Sequence, residues 1–354
     1  VKLEALVQVS TKVAASAGRL EKVASLAELL KQLASDEVVI AIGFFIGWPR
    51  QGRIGVGWAT VAEARETPPA TVATLDLLEV DRAFTDLQSA KGKGSSAARA
   101  RLLRELFSRA TADEQSFLSA LVVGEVRQGA LEGVMLDAVA KAAGVPATRL
   151  RRAVMLAGDL GVVAGAVCSG GEAALDALAS YRLQLFRPVQ PMLADSADGV
   201  DEALAMVGAG TTAGIEWKLD GARIQVHRAG DRVAVYTRNL NDVTNRVPEV
   251  VAAVQSFGAR ELIADGEVIA LAASGRPLSF QDTMRRFGRR LDVDVLRGEL
   301  PLTPYFFDLL LQDGEELLDR PLADRLARLD NVIPEVYRVP RLLTASVADA
   351  ERFQ

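Results

Sequence analysis

The spacing of apolar residues changes character once along the chain, shortly after residue 180. Before that point it is helical. Leu20, Val23, Leu26, Ala27, Leu30 and Leu33 recur at the three-to-four spacing of one helix face. Residues 38–46 form an unbroken apolar run that is expected to be buried, and Gly43, Gly47 and Pro49 interrupt it. The glycine-rich stretch 52–59 reads as a packed turn. A helix is expected over 97–110, and Thr111 or Asp113 would cap a following one carrying Phe117, Leu118, Leu121 and Val122. Residues 132–143 bury one apolar face and stop at Gly144, and Pro146 opens the next helix, where its missing N–H does no harm.

After residue 187 the pattern alternates. Residues 222–228 and 232–238 read as two strands around the turn Ala229-Gly230-Asp231. Residues 245–257 are helical, with Val247, Val250, Val251 and Val254 on one side. Residues 262–271 read as a bulged strand or a strand pair that carries Asp265 and Glu267 around Gly266. A helix over 279–287 and an aromatic-rich buried strand over 304–311 complete the set. Ile215, Trp217 and Leu219 alternate with Glu216, Lys218 and Asp220, which predicts a half-buried strand with the three charged residues on one face. The fold class expected is therefore multidomain: an all-α domain over 1–185, then an α+β domain built on antiparallel sheet over 186–354.

Composition narrows the chemistry. With 354 residues, 49% hydrophobic and 25% charged, the chain has room for about two globular domains. A single cysteine, Cys168, rules out an internal disulfide framework and a Cys-rich zinc site, and it reads as a small buried residue. The single histidine, His227, leaves no imidazole cluster for a transition metal, so a metal here should be a hard cation such as Mg²⁺. No apolar run approaches the roughly 18 residues of a membrane span, and no signal-peptide pattern opens the chain, so a cytoplasmic location is expected. A net charge of −5 does not advertise nucleic-acid binding, but it averages over local clusters. Arg149, Arg151 and Arg152 form one such cluster, and Arg285, Arg286, Arg289 and Arg290 another. Taken alone, each reads as a solvated helix face. Arg127 sits in a loop whose following helix N-terminus would suit a DNA phosphate as well as it would a plain helix connection.

Four features of the second half need a common explanation: Lys218-Leu219-Asp220-Gly221-Ala222-Arg223, Tyr236-Thr237-Arg238-Asn239, Asp265-Gly266-Glu267, and Phe306-Phe307-Asp308. Singly, each has an ordinary structural reading as an ion pair, a turn or a core pair. Together and in this order, they resemble the successive motifs of the covalent nucleotidyltransferases, over essentially everything from Arg187 onward. The helical first half resembles the DNA-binding domain of larger ATP-dependent DNA ligases, in particular the B-type enzymes of actinobacteria such as mycobacteria. RNA ligases and capping enzymes lack that domain and remain the alternative, together with a non-catalytic DNA-binding fragment. NAD-dependent ligases carry a four-cysteine zinc module that one cysteine cannot build.

The resemblance implies an ATP-grasp-like antiparallel sheet and a site upon it. Lys218 would attack the α-phosphorus of ATP and carry AMP, then pass it to the 5′-phosphate of nicked double-stranded DNA for sealing in repair, replication or recombination. A lysine ordinarily titrates near about 10.4, so its amine must be freed by desolvation or metal charge, and a close carboxylate would oppose this. Glu216 would meet the adenine edge, Arg223 the ribose, and Arg238 the ribose, a phosphate or the DNA end. Glu267 would hold the ribose hydroxyl or a metal-bound water, Phe307 would stack on adenine, and Asp220 would reach Mg²⁺ through water. Arg127, Arg149, Arg285 and Arg286 would contact DNA phosphates. The resemblance also implies a monomer and leaves a sliding clamp open as a partner. A further Glu-Gly motif, a Lys-x-Lys motif and an OB-fold domain are expected beyond Gln354, so these 354 residues alone are expected to seal nicks poorly.

Overall fold

The computed structural model describes residues 1–353 except 53, 127–130, 192–193, 209, 273, 289–297 and 299. The chain divides into two compact units, Val1–Arg182 and Leu183–Gln354.

The first unit is helical throughout its described elements: α1 (Leu3–Ala15), α2 (Arg19–Leu30), α3 (Ser35–Phe45), α4 (Trp58–Ala64), α5 (Leu77–Ser89), α6 (Ser95–Ser108), α7 (Ala112–Val123), α8 (Leu131–Ala143), α9 (Ala147–Ala157), α10 (Leu160–Val167) and α11 (Gly171–Ser180). The apolar run at 38–46 is α3, apolar on nearly every side and packed against α5 and α10. Gly165 of α10 makes that approach possible, since a Cβ there would lie 2.9 Å from a Val39 methyl. Thr111 caps α7, with Asp113 inside the helix. The Thr111 hydroxyl accepts from the Glu114 amide, and the Glu114 carboxylate accepts from the Thr111 amide at 2.8 Å. Pro146 is the N-cap of α9, one position before the first helical residue. Cys168 is half-buried, and its thiol donates to the Gly165 carbonyl at 3.1 Å.

In the second unit a five-stranded antiparallel sheet runs in the order β3-β2-β4-β5-β6, built from β2 (Ala222–Ala229), β3 (Arg232–Thr237), β4 (Glu261–Ala270), β5 (Leu302–Gln312) and β6 (Glu315–Glu316). Of the two readings open for 262–271, the structure selects a single bulged strand. Gly266 stands in mid-strand rather than in a turn. One face of this sheet is apolar: Ile224, Val226, Ala264, Val268, Phe306 and Leu309 close a core with α13 (Pro248–Gln255) and α15 (Leu322–Val332). Helix α14 (Phe280–Phe287) packs on β4 and β2. Strands β1 (Ala213–Glu216) and β7 (Arg341–Thr344) form a separate antiparallel pair, with α12 (Val200–Val207) and α16 (Val347–Phe353) in contact beside it. Among the described residues, no helix is long and apolar enough to cross a membrane.

The strand expected through Asp220 stops at Glu216. Residues 217–220 are irregular and Trp217 is 52% exposed, so Glu216, Lys218 and Asp220 do not share a strand face. The reason is pairing: β1 has its partner only opposite β7, where Glu216 meets Arg341, and beyond it the backbone leaves the ladder to join β2.

Candidate active site

The polar face of the sheet is set by register. Arg223 lies opposite Glu267, and Gln225 opposite Asp265, so period-2 alternation sends all four side chains away from the core. Gly221 fastens the lysine-bearing segment to this face. A Cβ on Gly221 would lie 2.2 Å from the Val268 carbonyl oxygen, and the Gly221 amide donates to a Glu267 carboxylate oxygen at 3.2 Å. Only glycine permits that approach.

A bulge turns the aromatic pair. On β5, Phe306 pairs with Gly266 and Asp308 with Asp265, which leaves Phe307 as the extra residue between them. Phe306 is fully buried, and its ring occupies the place a Cβ on Gly266 would take, 2.8 Å away. Phe307 instead meets the Arg223 guanidinium, 5.4 Å from its ring centroid. Asp308 is gripped by Arg325 with bonds of 2.8 and 3.0 Å.

Lys218, Asp220, Arg223, Arg238, Glu267 and Phe307 line one cleft of about 600 Å³, joined by Pro191, Trp217, Phe280 and Val339. Its volume suits a nucleotide-sized ligand. Six of the seven residues expected around the nucleotide are therefore brought together. Glu216 is the exception: it lines an adjoining cleft of about 750 Å³ that shares Trp217, Lys218 and Leu219 with the first.

The electrostatics are those of a partly dry anion site. Burial raises the Glu267 carboxyl above its ordinary range. The Gly221 amide, Lys218 and Arg223 pull it back, and Asp220 adds to the rise. Asp265 is raised chiefly by burial and is held by Arg223 at 2.7 Å and Gln225 at 2.9 Å. Glu216 is raised by desolvation, against the pull of Arg341. Asp220 and Glu267 are hard oxygen donors close enough to repel one another, which fits a Mg²⁺ whose sphere a phosphate would complete. Among the described residues, no group of three or more His, Cys, Asp and Glu stands ready to hold a metal unaided.

The residues expected to meet DNA fare differently. Arg149 on α9 and Arg285 on α14 are exposed, and Arg127 lies outside the described residues. Arg286 is corrected outright. It is fully buried, donating to both Glu249 carboxylate oxygens at 2.8 and 3.1 Å and to the Arg246 carbonyl at 2.9 Å, so it ties α14 to α13 and cannot reach a phosphate. Sequence reasoning gave no role to Gln225 or Asp265. The available signal was polar residues at Arg223, Gln225 and His227, alternating with the apolar Ile224 and Val226.

A helical unit is thus followed by an antiparallel sheet that presents a lysine, two carboxylates, two arginines and an aromatic ring to one cleft. The family model described as ATP dependent DNA ligase domain matches residues 191–354, and the model described as DNA ligase N terminus matches 58–140. A protein named Probable DNA ligase from Anaeromyxobacter sp. (strain Fw109-5) is 52% identical over 352 residues, covering 99% of this chain and 67% of that protein. One of the same name from Mycobacterium sp. (strain KMS) is 50% identical over 349 residues, covering 97% of this chain and 65% of that protein. The solved structure called Pmar-Lig_Pre is similar in fold at a TM-score of 0.50 and 14% identity, covering 98% of this chain and 69% of that one. The chain belongs to the ATP-dependent DNA ligase family, and it spans about two-thirds of the length of these curated relatives.

Proposed function

We propose that Lys218 is the residue that carries AMP. Its amine attacks the α-phosphorus of ATP, forming an N–P bond as the bond to the departing pyrophosphate breaks. The AMP then passes to the 5′-phosphate of a DNA nick, and the 3′-hydroxyl displaces it to close the strand. The observation that carries this reading is the convergence of Lys218, Arg223, Arg238, Glu267 and Phe307 on one cleft from four separate stretches of chain. Phosphoryl transfer depends on positioning and charge neutralisation, and the cleft offers both. Phe307 would stack on the base, Arg223 and Glu267 would hold the ribose, and Arg238 would meet a phosphate. Mg²⁺, which neutralises phosphate charge when bound, would be held by Glu267 and, through water, by Asp220. Glu216 would serve adenine only from the neighbouring cleft.

The helical unit, with Arg127 and Arg149, and Arg285 of α14 would supply contacts to DNA phosphates that ignore sequence. Such contacts predict binding that weakens steeply with salt. The deciding experiment is incubation with ATP labelled at the α-phosphate, followed by a nicked duplex of DNA or of RNA. A labelled protein band that Lys218→Ala abolishes, and whose label moves to nicked DNA, is expected. A band of full intensity in Lys218→Ala removes the lysine from this role. Transfer to RNA alone favours an RNA-sealing enzyme, and a protein that binds DNA but never takes up label is a non-catalytic binder.

A further inference from the structure

One face of β2, the one turned away from the apolar core, carries Arg223, Gln225 and His227 at alternate positions, and with Asp265 they form a series of hydrogen bonds that leads away from the cleft. Gln225 and His227 are 6% and 0% exposed, and their neighbour Asp265 is 7% exposed. Leaving such groups unpaired in the interior would be costly, yet here the bonds close upon one another. The Phe186 amide can only donate, so its 2.9 Å bond makes Nδ1 of His227 the acceptor and places the ring proton on Nε2. Nε2 then donates to Gln225 Oε1 at 3.0 Å, and the same oxygen accepts from the Val189 amide at 2.8 Å. The Gln225 amide nitrogen donates to Asp265 Oδ1 at 2.9 Å, and Asp265 Oδ2 accepts from Arg223 at 2.7 Å.

The far end of this series is itself under constraint. Phe186 is a non-glycine residue at φ +67°, a conformation that persists only where its surroundings impose it. The Tyr236 hydroxyl donates to the Phe186 carbonyl at 3.0 Å, the Arg232 guanidinium lies 3.7 Å from the Phe186 ring centroid, and the His227 ring packs edge-on against Tyr236. Residues 184–189, at the start of the second unit, are thus bolted to the sheet by the same side chains that end on Arg223.

We propose that Gln225 and His227 are positioning residues for the nucleotide cleft: with Asp265 they form a buried hydrogen-bond relay that makes the placement of Arg223 depend on the docking of the 184–189 segment. The proposal rests on the reading of the cleft as an ATP site. Gln225 holds Asp265 in the orientation that grips Arg223, and His227 with Val189 holds Gln225. Loosening the segment rotates the amide, frees the carboxylate and lets the guanidinium leave the place where it faces Phe307.

The test is the ATP dependence of self-adenylation. His227→Phe keeps a flat aromatic ring, slightly larger, and removes both bonds at a position that does not line the cleft. It is expected to raise KM for ATP about fivefold or more, with the maximal rate little changed. His227→Gln, which can accept and donate as the imidazole does, is expected to return KM to within about twofold of the original. A folded His227→Phe protein with unaltered KM overturns the relay. Should that variant not fold, amide exchange on the unmutated protein decides. Slower exchange at Phe186 and Val189 on binding a non-hydrolysable ATP analogue supports the relay, and unchanged exchange overturns it. Arg223→Ala, run in parallel, separates the two readings. An unchanged KM there overturns the role of Arg223 in the cleft and the relay's purpose with it. A raised KM there, beside unaltered kinetics in His227→Phe, overturns the relay alone.

Discussion

Gly221 passes so close to Val268 that a single added methyl would sit 2.2 Å from the Val268 carbonyl oxygen and 2.6 Å from an Ile269 methyl. The first obstacle is backbone in mid-strand, so it is the lysine-bearing segment that would have to move. Gly221→Ala is expected to leave the protein folded while lowering the rate of self-adenylation about a hundredfold, the scale of loss for a displacement of about 1 Å at the reacting group. Labelled-AMP uptake against a thermal melt checks this. A variant with normal uptake would show that Lys218 does not depend on the Gly221 contact.

Adjacent phenylalanines should fail in opposite ways. Phe307→Ala removes a half-buried ring that faces the cleft, and KM for ATP should rise by the equivalent of about 1–3 kcal/mol with little change in stability. Phe306→Ala opens a hole beside Phe257, whose ring meets Phe306 edge-on at 5.3 Å, and should cost about 3–5 kcal/mol of stability. Denaturant unfolding together with ATP kinetics on both variants separates the two outcomes.

The two neighbouring arginines of α14 are likewise not equivalent. Arg286→Met leaves the largely covered Glu249 carboxylate with only the Leu302 amide as a partner and should cost about 3–5 kcal/mol, part of it recovered by adding Glu249→Leu. Arg285→Ala should barely affect stability but should reduce by about one the slope of log affinity for nicked DNA against log salt. An unchanged slope would remove Arg285 from the DNA surface.

His227 makes stability depend on pH. Burial lowers its pKa to about 4, so the unfolded chain binds a proton between about 6.5 and 4 that the folded chain does not. Its contribution is complete above about pH 6.5, declines as the pH falls through that window, and levels off below about 4. The full swing is about 3 kcal/mol. Stability curves of the unmutated protein and His227→Phe should converge toward acid by this amount, and parallel curves would refute it.

Much of the second unit could be read from alternation alone. The hairpin of β2 and β3 follows from local pattern, whereas the split between buried Phe306 and cleft-facing Phe307 is expected only from the family resemblance. Alternation also places Arg223, Gln225 and His227 on one face of β2, but it does not say whether that face is covered. Residues 184–189 cover it, and they come from 36 or more positions earlier in the chain, as the bonds to Val189 and Phe186 show. The burial of Arg286 is hidden from the sequence for the same reason. Its partner Glu249 stands 37 residues away, and a basic run gives no local sign that one member turns inward. The end of β1 leaves no mark in the sequence, because alternation continues through Asp220 although the strand pairing ends at Glu216.

The bulge on β5 places the cleft under a rule of count rather than of identity. Phe307 and Asp308 both stand opposite Asp265 on the cleft side because one residue more stands on β5 than on β4 between two fixed pairs, Gly266 with Phe306 and Asp265 with Asp308. Deleting one residue there would shift the strand's remaining side chains by one place, exchanging inside for outside, even if every surviving residue were unchanged. This stretch should therefore tolerate substitutions far better than changes of length, and an inheritable gap here should be rarer than any single replacement.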